Sequence, residues 1–323
     1  MTRPFTVASP GPLPPTSMPP STVLFCVFLC VLFGANAVAI KIGFQGFGVY
    51  AAAAIRFAAA SAAVALWAFL TGRPLRVPKP RGPYLLVYSV VFTLQISFFY
   101  TGISRSLASR ATLIVNTLPF LILLLSHFFL PGDRITPRKF AGILLGFGGV
   151  AVLSLDAQAV SAGFRTGDAF CLAAVTLWAG NTVFLKRFLW DLRPYQIVFH
   201  SMISAVPAAC AASFFLDPFA VNHPGPAAVS ALLYQTFVTA VFGFIAWNTL
   251  LQRYGAAALH TFLFIMPPVG VALGGLLLGE PVNPNILAST LLIAAGIATV
   301  HAGSGEPVPL FGGRGPGGRQ KGR

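Results

Sequence analysis

Charge is what this sequence has least of. Of its 323 residues only 9% are Asp, Glu, Lys or Arg, and only seven are acidic. A soluble domain carries about 25% charged residues, so a water-facing surface of ordinary composition is excluded. The acidic residues Asp133, Asp156, Asp168, Asp191, Asp217, Glu280 and Glu306 all lie at the ends of apolar runs or between them. No carboxylate is left in the middle of a run, where many proton-driven carriers place one. There is no H-E-x-x-H, no G-x-S-x-G and no pair of mid-span aspartates, which argues against an intramembrane enzyme. A phosphate-cradling nucleotide loop is also missing, which argues against ATP-driven work by this chain alone. The four cysteines, Cys26, Cys30, Cys171 and Cys210, sit inside apolar runs and none has metal-site spacing to a histidine. They read as small buried hydrophobes, and neither a metal nor another cofactor is expected. Residues 1–21 are rich in proline with one cation, Arg3. Without a basic start or a small-x-small cleavage site, this segment reads as a disordered cytoplasmic leader, not a signal peptide.

Apolar length is abundant. The chain is 56% hydrophobic with a mean hydropathy of +0.80. A spanning helix needs about 20 mostly apolar residues, and ten runs qualify: 22–43, 48–70, 83–103, 107–130, 138–156, 167–187, 194–215, 228–251, 256–278 and 284–302. Thr136-Pro137 and Asn283-Pro284 place a capping residue before a proline, and Asp168 puts a carboxylate at the start of the sixth run. The net charge of +14 would point to nucleic acid in a soluble protein. Here the cations gather in short connections and tails, so the lipid bilayer is the expected partner and nucleic acid is not. With a cytoplasmic N-terminus, 16 of the 21 basic residues fall on the inner side and four (Lys41, Arg105, Arg110 and Arg165) on the outer, leaving Arg56 within a run. Both termini are therefore expected in the cytoplasm of a cell-membrane protein, with an even number of spans.

The chain also repeats itself. Leu32-Phe33-Gly34-Ala35-Asn36 through Lys41 returns as Leu177-Trp178-Ala179-Gly180-Asn181 through Lys186, an offset of 145 residues. Tyr50 meets Tyr195 at the same offset, Arg105 meets Arg253 and Pro119 meets Pro267 at 148, and Gly132-Asp133 meets Gly279-Glu280 at 147. Five spans per repeat require the second repeat to be inverted. The expected fold is all-α and integral to the membrane: ten transmembrane helices as two inverted five-helix repeats (22–156 and 167–302) around a central cavity, followed by a Gly/Arg-rich cytoplasmic tail, 303–323. In such folds the substrate lies near the midplane, between the repeats.

These motifs resemble the drug/metabolite transporter superfamily, specifically its ten-span members built from two EamA domains. The resemblance rests on the small-Asn-x-x-x-x-Lys endings, Arg56-Phe57, and the passage from Pro119 to Gly132-Asp133-Arg134-Ile135-Thr136. It also rests on Ala246-Trp247-Asn248 through Arg253-Tyr254-Gly255-Ala256-Ala257, and on Pro267 to Leu278-Gly279-Glu280-Pro281-Val282. It covers about 22–303; Asp133 departs from the usual glutamate but keeps the charge. The resemblance implies a bacterial secondary transporter of a small metabolite or amino-acid-like compound, working outward by alternating access. A carrier or flippase for lipid-linked or amphiphilic cargo is the alternative within the same superfamily.

Polar side chains within spans are expected to face the interior. Thr112, Asn116 and Pro119 share a helical face, and His260, Phe264 and Pro267 occupy the related positions of the other repeat. Asn116 and His260 either line the cavity or hydrogen-bond a neighbouring helix. Pro119 and Pro267 remove backbone donors and mark helix breaks, at a gate or simply at a packing irregularity. Arg56 lies about eight residues, roughly 12 Å, from the end of its run, too deep to snorkel. It either binds an anionic substrate group or pairs with carbonyls of a neighbouring helix. His200 is the expected proton-coupling group if it is not an inert hydrogen-bonded histidine. Asn36, Gln95, Tyr100, Trp178, Asn181 and Gln235 complete the expected substrate-binding set. Lys41 and Lys186 fall at opposite ends of the bundle and read as interface anchors, as do Trp67, Trp190 and Trp247. Gly142-x-x-x-Gly146 and Gly270-x-x-x-Gly274 permit close helix approach, within the bundle or in a homodimer.

Overall fold

The computed structural model describes residues 18–106, 111, 114–154, 166–279 and 285–302. The leader to residue 17, Arg110, Thr112, Arg165, the Glu280-Pro281 motif and the Gly/Arg-rich tail lie outside the described residues. Among the described residues there are ten helices and no strand. They are α1 (Pro20–Gly43), α2 (Val49–Leu70), α3 (Gly82–Arg105), α4 (Leu118–Phe129), α5 (Pro137–Ser154), α6 (Thr166–Phe188) and α7 (Pro194–Leu216). The last three are α8 (Pro226–Arg253), α9 (Ala256–Leu278) and α10 (Ile286–His301). Seven of them (α1, α2, α3, α6, α7, α8 and α9) are long and apolar enough to cross a membrane, while α4 and α10 are shorter apolar helices.

Local chemistry explains the ends. The Thr136 hydroxyl accepts from the Lys139 amide at 3.2 Å and caps α5, as Thr-Pro predicts. Asp168 lies in the first turn of α6 and accepts from the Ser106 hydroxyl. A cap that the sequence does not advertise comes from Asp217 at the end of α7. Its carboxylate accepts from the amides of Tyr50 at 3.1 Å and Ala51 at 2.8 Å, in the first turn of α2. Beside it Phe47 and Val221 form an antiparallel bridge, tying the α1–α2 connection to the α7–α8 connection. The opposite end of the bundle is tied by Gln196, which donates to the carbonyls of Pro74 (3.0 Å) and Arg76 (2.9 Å).

Helix pairing follows a pattern. The helix α1 packs on α8 and α9, and α6 packs on α3 and α4. Exchanging α1–α5 for α6–α10 converts the first set into the second. The same exchange turns α3·α7 into α8·α2, and leaves α2·α7, α4·α9 and α5·α10 unchanged. The α5·α10 contact is the most intimate. A Cβ on Gly142 would stand 2.6 Å from the Gly296 carbonyl oxygen, and one on Gly296 would stand 2.6 Å from the Gly142 carbonyl oxygen. Association inside a bilayer relies on such close van der Waals approach, because apolar surface gains nothing by leaving lipid. Gly146 abuts Phe264 and Gly270 faces Gly34 and Ala37, so both small-residue motifs pack against helices of the same chain. Leucine and phenylalanine side chains elsewhere on the helices turn outward: Leu66, Phe69, Phe128, Phe214 and Leu276 are among the exposed apolar side chains, as lipid contact requires.

Candidate functional site

Two of the long helices depart from α-geometry where polar groups gather. The middle of α8, Tyr234–Gly243, is π-helical, a widening that recurs at functional sites. Gln235 and Thr239 on this segment turn toward α1 and α2. In α9 the residues Thr261–Ile265 form a 3₁₀ turn, and α-geometry resumes at Met266-Pro267. Pro119 likewise stands in the first turn of α4, after a turn at Asn116 and Thr117. Both prolines therefore mark changes of helical geometry, Pro267 a change from 3₁₀ to α.

At the centre is Arg56 of α2, 5% exposed. Its Nη2 donates to the Thr239 hydroxyl at 3.3 Å. The guanidinium carbon is 5.5 Å from the Phe57 ring centre and 5.9 Å from that of Phe244, distances at which aromatic faces attract a cation. Tyr100 of α3, also buried, lies in the same core cluster as Phe57, near the guanidinium. Arg56 Nε is buried without a partner. Among the described residues the ion pairs are Arg81–Asp191 and Lys139–Asp133, so no carboxylate neutralises Arg56. The Thr239 hydroxyl has one proton and faces two acceptors, Asn36 Oδ1 at 3.0 Å and the Gln235 carbonyl at 2.7 Å. Gln235 donates through Nε2 to the Ala39 carbonyl at 3.1 Å. Asn36, Arg56, Tyr100, Gln235 and Thr239 thus form one polar cluster joining α1, α2, α3 and α8.

The other expected residues lie elsewhere. Gln95 is buried in α3, and Asn116 is buried ahead of α4. Asn181, the repeat partner of Asn36, donates to the Tyr88 carbonyl at 3.3 Å and leaves its Oδ1 buried without a partner. Trp178 packs, partly buried, on the main core cluster, to which α1, α4, α6, α8 and α9 contribute most. His200 lies against the α2–α3 connection, with Nε2 3.1 Å from the Leu75 carbonyl oxygen. His260 is fully buried; its Nδ1 is 2.8 Å from the Ala256 carbonyl oxygen and its Nε2 has no partner. Its ring stands perpendicular to Trp247, centroids 5.4 Å apart. Trp247 is therefore no interface anchor: it is 9% exposed, wedged between Phe33 and His260, because it lies on the side of α8 that meets α1 and α9. Lys186 is more than an anchor, since its ammonium donates to the carbonyls of Leu251 (2.9 Å) and Tyr254 at the C-terminus of α8. Buried Asp133 accepts from Lys139 at 2.6 Å and from the Ala257 amide at 3.2 Å, closing the same corner.

A bundle of apolar helices with polar side chains enclosed among them, reached by helices of broken geometry, is the framework of a membrane carrier. The chain belongs to the EamA-like transporter family, whose model matches it twice, at residues 20–155 and 165–301. It is 28% identical to a protein of Escherichia coli named "Probable amino-acid metabolite efflux pump", over 85% of this chain and 92% of that one. It is 27% identical to a "Probable terminal-alkyne amino-acid exporter" of Streptantibioticus cattleyicolor, over 87% and 94% of the two chains. A crystal structure with 20% identity superposes with a TM-score of 0.75, covering 87% of this chain and 97% of the other, which supports the fold. The protein is thus a multi-pass membrane transporter with bacterial relatives.

Proposed function

We propose that the chain exports a small amino-acid-like metabolite, and that Arg56 binds its carboxylate. The observation that carries this reading is a buried cation that pairs with no carboxylate among the described residues. An unpaired buried charge is costly, and a carboxylate arriving on the cargo would relieve that cost through a two-point hydrogen bond to the guanidinium. Asn36, Tyr100, Gln235 and Thr239 supply polar contacts around it, and Phe57 and Phe244 supply apolar wall. The names of the relatives support both the direction and the cargo class. In this reading the two EamA segments are inverted five-helix repeats with both termini in the cytoplasm, and the cluster is exposed alternately to each side. The exchange pattern in helix pairing supports the repeat, and the distribution of Lys and Arg supports the orientation.

The test compares metabolites inside and outside cells with and without the protein, then measures flux of the accumulated compounds in proteoliposomes, with and without a pH gradient. Arg56→Gln should abolish flux of carboxylate-bearing compounds, and Arg56→Lys should leave a reduced rate. Equal flux in Arg56→Gln, at equal protein abundance, refutes the role of Arg56. Unchanged metabolite levels in cells refute the export reading.

A further inference from the structure

We infer that the arginine-lined clefts between the ends of α2, α7 and α8 hold the phosphate of an anionic phospholipid headgroup. This site is separate from the Arg56 cluster, because Trp67 at its edge is eleven residues further along α2, about 16 Å by helical rise. Two adjoining clefts, of about 480 and 610 Å³, share Arg73, Arg193 and Tyr195. Arg253 lines the first and Arg76 the second, so four guanidinium groups border the pair. The one carboxylate in their walls, Asp191, is already engaged with Arg81 at 2.9 Å. The positive charge therefore has no answering group in the described chain. Arginine is suited to phosphate because its planar fork donates two parallel hydrogen bonds.

The clefts are held in shape rather than formed by loose side chains. Gln252 donates to the Leu192 carbonyl at 2.8 Å, and Gln196 holds the Pro74 and Arg76 carbonyls on the other side. Arg73 lies over the Trp67 ring at 5.0 Å, and that ring meets Tyr195 edge-on at 5.3 Å. Trp190 also lines the first cleft, and its indole N–H is buried without an acceptor.

Lipid, rather than a free anion, is indicated by what adjoins the clefts. Leu66, Phe69 and Leu70 on the last turns of α2 are 58%, 82% and 73% exposed, an apolar strip suited to acyl chains. Tryptophan and arginine side by side, above exposed leucine and phenylalanine, is the chemistry of the headgroup level. Basic pockets between transmembrane helices bind anionic headgroups for this reason.

The test uses purified full-length protein moved into nanodiscs of phosphatidylcholine alone or mixed with phosphatidylglycerol, with retained lipid counted by native mass spectrometry. Wild type is expected to retain phosphatidylglycerol selectively. The triple variant R73Q/R193Q/R253Q should retain at least about tenfold less, while melting at the wild-type temperature in phosphatidylcholine. If the triple variant does not fold, the single substitution Arg73→Gln, on an exposed side chain, is measured in its place. Equal retention by the variant, or equal retention of both lipids by wild type, overturns the proposal. Displacement of the lipid by inorganic phosphate at comparable concentration would assign the site to free phosphate and overturn the lipid assignment.

Discussion

Arg56 and Thr239 are separated by 183 residues in the chain, yet the guanidinium Nη2 lies 3.3 Å from the hydroxyl oxygen. That single bond joins the first half of the chain to the second. It also joins the buried cation to Asn36, because the same hydroxyl faces Asn36 Oδ1. Thr239→Val keeps the shape and removes both links. A hydrogen bond to a charged group contributes roughly 1.5–3 kcal/mol, so apparent cargo affinity should fall by about tenfold or more, with protein abundance unchanged. Counterflow in proteoliposomes reads the change.

The Asp217 carboxylate holds two amides of α2 from the end of α7. Asp217→Ala should lower stability by about 0.5–2 kcal/mol, the usual loss when a cap is removed. Asp217→Asn keeps an acceptor and should lie between the two. Thermal melting of the purified protein in detergent separates the three.

Gly142 and Gly296 leave no room for a side chain at the α5·α10 crossing. Gly296→Leu should separate the helices and lower folded yield sharply, whereas Gly180→Ala, where a Cβ meets nothing within 4 Å, should be neutral. Size-exclusion profiles of fluorescently tagged protein give the comparison.

Alkaline phosphatase and fluorescent-protein fusions at both ends should report cytoplasm for each. One terminus on the far side of the membrane would exclude the ten-span inverted arrangement.

Trp178 packs, partly buried, on the main core, and Asn116 is buried where α4 begins. Replacing either with alanine should weaken flux at preserved membrane abundance. Unchanged flux in both variants would remove them from the cargo path.

Sequence legibility tracked rarity. In a chain with so little charge, an arginine deep within an apolar run is conspicuous, and Arg56 is central to the cluster. Asn36 and Asn181 were marked by duplication, and both are held by hydrogen bonds between helices. Thr239 had neither mark, being one threonine among many in an apolar run. The π-helical segment that presents it has no signature in the residue pattern of the run. Trp247 and Lys186 were misleading for a common reason. Both stand near the end of a span, where interface anchoring is the local expectation, and only the packing of α1, α4 and α9 determines that they turn inward. His200 shows the same limit in reverse: its sequence depth gave no sign that the α2–α3 connection folds back to meet it.

The π-helical stretch Tyr234–Gly243 has one further consequence. In an i→i+5 ladder the chain holds more residues than an α-helix needs for the same path, so the length of α8 at this point is adjustable. Deleting one residue there would restore α-geometry without moving the ends of the helix far. The flanking parts of α8 would keep their faces, while the residues of the stretch itself, Thr239 among them, would change position relative to Arg56. Insertions and deletions in this stretch would thus rearrange the polar cluster around Arg56 while the membrane framework stays whole.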